Sequence, residues 1–136
     1  MRGAAALIRL STFEVETLQK RLADIADRRA AVGLMLDALE AEARVEGERA
    51  RADAEAGFYL IGFREGLRIR CAKLEAQRAT LDAETVGARD ALTAAFESLK
   101  KVEHVADLAR VALAREAAKR EGAALDELAL RRAVGR

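Results

Sequence analysis

The sequence predicts an all-α protein, an antiparallel two-helix coiled-coil hairpin, and three observations carry that expectation. No proline interrupts the 136 residues. Apolar residues recur in alternating steps of three and four through both halves of the chain. A single cluster of glycine and aromatic residues breaks this pattern near the middle. Alternating three- and four-residue steps keep one apolar stripe facing a partner helix under left-handed supercoiling. One domain is therefore expected over residues 1–136, with helix 1 over about 12–55, a turn within 51–66 and helix 2 over about 60–133.

The first repeat reads Val15, Leu18, Leu22, Ile25, Arg29, Val32, Leu36, Leu39 and Ala43, broken only by Arg29. Ser11 and Glu14 have the S-x-x-E spacing of a capping box, in which each side chain satisfies a free backbone N–H at a helix start. Residues 4–10 either extend this helix or form a separate turn, with Leu7, Ile8 and Leu10 able to cover a neighbour.

After Ala43 the large apolar residues stop. Three of the nine glycines and three of the five aromatics then fall between Gly57 and Gly66. Glycine ends helices readily because it has no Cβ to clash at positive φ. The reversal is accordingly expected beside Gly57. The aromatics Phe58, Tyr59 and Phe63, with Ile61, cannot all face one seam. They either plug the hairpin end or form an exposed patch that docks a partner.

The second repeat runs through Leu60, Leu67, Cys71, Leu74, Arg78, Leu81, Thr85, Ala88, Leu92, Ala95, Leu99 and Val102. Beyond Leu99 the steps shorten to Val102, Val105, Leu108 and Val111, so that face drifts around the helix. Pairing Leu39 with Leu74, Val32 with Leu81 and Ile25 with Ala88 centres the turn near residue 57. A slip of one heptad centres it near 60. In the first register the last twenty or so residues run on as a single helix. Arms of roughly 55 residues would each span about 80 Å. Arg29 and Arg78 sit at seam positions, where the stem packs and the guanidinium reaches water, or where a polar group penalises wrong registers.

Composition agrees with this reading. Ala, Glu, Lys, Leu and Arg supply 89 of the 136 residues, as long helices and coiled coils require. Charge is plentiful yet balanced at net +1, which argues against a nucleic-acid partner, whose phosphates call for a basic excess. Residues 37–55 hold seven acids against three arginines. Residues 61–78 hold five bases against two acids. An antiparallel fold sets these stretches side by side.

No catalytic constellation emerges. There is no Walker-type phosphate loop, and His104, the one histidine, has no partner at a useful spacing. Cys71 is the single cysteine, falls on the apolar repeat and is read as a small core residue. Adjacent carboxylates such as Asp126 and Glu127 diverge by about 100° on a helix and do not converge on a substrate. No enzyme activity, metal site or cofactor is expected. No segment has the length of a signal h-region or a membrane span, so a cytoplasmic location is expected.

Three motifs then give the chain a resemblance. Lys100-Lys101-Val102-Glu103-His104-Val105 resembles the K-x-[LV]-E-x-[LV] stretch of the FliJ family, and Leu125-Asp126-Glu127-Leu128-Ala129 resembles that family's terminal L-D-E-L-A. Leu18-Gln19-Lys20-Arg21-Leu22-Ala23 and the hairpin layout fit as well. The resemblance implies a soluble component of the flagellar type III protein export apparatus, similar to the stalk proteins of virulence secretion systems. It implies a non-enzymatic central stalk that binds and activates a hexameric export ATPase, contacts a membrane protein of the export gate and engages export chaperones. Membrane association would be peripheral, through partners at the inner membrane. The implied ATPase contacts are Leu125, Asp126, Glu127, Leu128, Arg131 and Arg132. Exposed chemistry at the turn makes Phe58, Tyr59 and Phe63 the candidates for the gate. The competing expectation is a generic structural coiled-coil scaffold or homodimerisation module.

Overall fold

A computed structural model describes residues 2–135. It contains two α-helices, α1 (Arg2–Ala52) and α2 (Ala54–Val134), and no strand among the described residues. The helices pack against each other antiparallel, as an all-α helical hairpin. The chain resolves into two compact units, Glu16–Thr93 and a second formed by Met1–Val15 with Ala94–Arg136.

In the first unit the apolar repeats meet as a seam. Ile25, Val32, Leu81 and Ala88 form a buried cluster, with Leu22, Leu36 and Leu74 packed against it. Ile25 is 2% exposed, and Leu39 is also buried. The cluster holds both members of the Val32–Leu81 and Ile25–Ala88 pairs. Two ion pairs cross between the helices in the same register: Arg29 Nε to Asp82 Oδ1 at 2.5 Å and Arg70 to Glu42 at 3.9 Å. The register centred near residue 57 is therefore adopted, not the one slipped by a heptad. The Glu42–Arg70 pair joins the acidic and basic stretches that the charge pattern set side by side.

Arg29 leaves the seam for solvent and hydrogen-bonds across to Asp82, so it both snorkels and ties the helices together. Its side chain and that of Asp82 are about half exposed, which keeps such a pair weak. A double-mutant cycle with Arg29→Ala and Asp82→Ala is expected to return a coupling of about 0.5 kcal/mol in denaturant titrations. Arg78 instead pairs along its own helix with Glu75 at 2.6 Å.

The reversal lies at Asp53, not beside Gly57. Asp53 separates the helices and caps α2: its Oδ1 accepts the Glu55 N–H at 3.0 Å. Its backbone N–H closes the last turn of α1 onto the Arg49 carbonyl, and its carbonyl accepts the Gly57 N–H, both at 3.1 Å. An aspartate can stand between two helices because its carboxylate replaces one of the donors' missing partners. No described glycine has positive φ, so the property that pointed to Gly57 is not used. Asp53→Ala is expected to destabilise the hairpin by about 1 kcal/mol through loss of the cap, read as a lowered denaturation midpoint.

In the second unit, α1 begins at Arg2, so Ser11 and Glu14 lie inside a helix and do not cap one. Residues 4–10 include three alanines and two leucines, strong helix formers with no breaker among them. Ala4, Ala5 and Ile8 line a shallow groove with Ala106, Ala109, Arg110 and Leu113 of α2. Val15 and Ala95 are buried. From Ala114 onward every described residue except Gly122 is exposed, so this part of α2 has no covering helix.

Candidate partner-binding surfaces

The open end of α2 carries the six residues expected to meet an ATPase. Leu125, Leu128 and Arg132 line one shallow groove with Ala129 and Ala133. Their spacing of three and four residues places them on one helix face. Leu125 and Leu128 are 66% and 53% exposed. Glu127 and Arg131 lie on the neighbouring face with Leu130 and Val134, where they form an ion pair at 3.2 Å. Asp126 is exposed and belongs to neither face. The structure thus brings together three of the six in one apolar ridge ending in a guanidinium and two in a second, leaving Asp126 apart. An apolar ridge with a charged edge suits a helix-in-groove contact.

At the turn the three aromatic candidates separate. Phe58 and Tyr59 are 79% and 76% exposed, and their rings meet edge to face with centroids 6.1 Å apart. Ile61 beside them is exposed as well. These residues close nothing, so the plug is not formed by them. Phe63 is half-buried, lining a groove with Ala38, Ala41, Glu42, Val45 and Glu46. Nearby, Arg68 donates to both carboxylate oxygens of Glu65, at 2.6 and 3.2 Å. That hydrogen bond holds the Glu65 carboxyl below its ordinary pKa and raises that of Arg68. The pair's contribution is present at neutral pH and is lost as the pH falls through the lowered Glu65 value.

Cys71 is half-buried and unpaired by disulfide. Among the described residues no three His, Cys, Asp or Glu side chains gather as a metal site, and no helix is long and apolar enough to cross a membrane.

Both candidate surfaces are exposed helical ridges. The chain is 50% identical over 133 residues to the flagellar FliJ protein of two Caulobacter vibrioides strains, NA1000 / CB15N and ATCC 19089 / CB 15. The match covers 98% of this chain and 96% of each relative. The chain belongs to the FliJ family. No protein-family model matches it, and no solved structure does. Against the FliJ relatives the alignment runs nearly end to end.

Proposed function

We propose that this chain is a soluble, non-enzymatic component of the flagellar type III protein export apparatus, a central stalk that binds and activates the hexameric export ATPase. Half identity to flagellar FliJ proteins over almost the whole chain is the observation that carries this reading. The helical hairpin supports it: two packed helices offer exposed ridges and open grooves that other proteins can meet. A hairpin set in a ring of identical subunits presents different side chains to each of them. Contacts that differ between subunits bias their nucleotide states differently.

In this reading Leu125, Leu128 and Arg132 form the main ATPase contact, with Asp126, Glu127 and Arg131 around it. Phe58 and Tyr59 are the contacts to the membrane protein of the export gate, with Phe63 beside them, and export chaperones are further partners. The location is cytoplasmic, with membrane attachment only through those partners. Mixing the purified chain with the cognate flagellar export ATPase is expected to yield a complex by size-exclusion chromatography. Separate elution at every ATPase concentration would remove the proposal. Phe58→Ala with Tyr59→Ala is expected to weaken binding to the gate protein about tenfold while leaving the melting temperature unchanged, because neither ring is buried.

A further inference from the structure

The hairpin unit is packed unevenly along its length. On α1 the heptad step that gives Ile25, Val32 and Leu39 arrives next at Glu46, and the row through Leu36 continues as Ala43 and Ala50. On α2 Leu60, Leu67 and Leu74 keep the heptad, but all three are only half-buried. The Leu39–Leu74 register, carried one heptad toward the turn, sets Leu67 against Glu46, whose carboxylate pairs with Arg49. A leucine that meets an acid or an alanine removes little apolar surface from water. Between Leu39 and Leu81, accordingly, no described residue is buried. Phe63 is half-buried there, lining its groove with residues of α1. The ion pair that crosses between the arms, Glu42 with Arg70, spans 3.9 Å with both side chains about half exposed, so it adds little.

The helices themselves are weakened over the same stretch. Gly47, Gly57, Gly62 and Gly66 lie inside α1 or α2. No described glycine has positive φ, and a Cβ added at Gly47, Gly62 or Gly66 meets no atom within 4 Å. The backbone therefore does not require glycine at these three positions. Each destabilises its helix relative to alanine, because glycine loses the most backbone freedom on folding. An arm of this length parted from its neighbour is marginal as a helix in water. Few buried apolar contacts and weak local propensity together mark a stretch that opens before the rest of the fold.

We infer that residues 43–67 are a locally opening end of the hairpin. The two arms part and unwind there while the cluster of Ile25, Val32, Leu81 and Ala88 stays closed. Phe58 and Tyr59 ride on this end and move with it, uncoupled from the seam. The inference concerns the chain alone and stands whatever those two rings meet.

Native-state hydrogen exchange of the full chain, read by mass spectrometry and corrected for intrinsic rates, tests it. Amides of residues 43–67 are expected to exchange on the order of a hundredfold faster than those of residues 22–36. Gly47→Ala with Gly62→Ala and Gly66→Ala is expected to slow exchange over 43–67 by more than about tenfold. Gly87→Ala is the control, since a Cβ there also meets nothing within 4 Å but lies beside Ala88 in the closed seam. It is expected to slow exchange over 22–36 several-fold and to leave 43–67 unchanged. Equal protection of the two stretches would mean that the hairpin opens only as a whole, and would overturn the inference. So would exchange over 43–67 that the triple variant leaves unchanged, or that Gly87→Ala slows as much as the triple variant does.

Discussion

Ile25→Ala is expected to lower the unfolding free energy by about 2–4 kcal/mol, the largest effect of any single truncation in the chain. Ile25 is the most buried of the seam residues, at 2% exposure, and sits in the cluster with Val32, Leu81 and Ala88. Its partner across the seam, Ala88, is small and cannot move in to fill the space. A two-helix seam also has few other layers to share the loss. Among the described residues only seven hydrophobic side chains are buried. The control is Ile69→Ala, where the same side chain is 57% exposed and the expected cost is within about 0.5 kcal/mol. Urea titrations followed by far-UV circular dichroism measure both. Equal costs at the two positions would mean that the Ile25 seam is not what holds the hairpin.

The second large effect concerns binding rather than stability. Leu125→Asp with Leu128→Asp is expected to weaken ATPase binding more than tenfold, above about 1.4 kcal/mol. Both leucines lie on the ridge that ends in Arg132, and both are more than half exposed. No helix covers this part of α2, so the substitution removes no internal contact and helicity should hold. Isothermal titration calorimetry against the cognate ATPase reads the affinity, and circular dichroism reads the helix. Unchanged affinity would move the contact away from the C-terminal ridge. Lost helicity would show that the leucines serve the fold.

The seam was legible because its period is strict. Leu39, Val32 and Ile25 step by seven, as do Leu74, Leu81 and Ala88, and buried layers follow from that alone. The turn was less legible. Glycine density around Gly57 signalled a break, but the break is made by Asp53 through its carboxylate, and glycine's freedom at positive φ is not called upon. The start of α1 was obscured by a valid-looking capping box at Ser11. A capping box marks a helix start only where the preceding residues leave the helix, and Ala4 to Leu10 instead continue it against Ala106 and Ala109.

The candidate surfaces were partly legible. In the terminal L-D-E-L-A, sequence order groups Asp126 with its neighbours, although helical geometry turns it away from the face of Leu125, Leu128 and Arg132. In the same way Phe63 read as one of three aromatics beside Phe58 and Tyr59, but it is half-buried in a groove against α1 while the other two stay exposed.

In the proposed function this FliJ-family chain drives an export ATPase without hydrolysing anything itself. Steady-state ATP hydrolysis by the cognate flagellar export ATPase, measured with and without the purified chain, tests it most directly. The rate is expected to rise several-fold and saturate with added chain, the rise to vanish with Leu125→Asp and Leu128→Asp, and the chain alone to show no hydrolysis. A hydrolysis rate that stays unchanged at saturating chain would contradict the account.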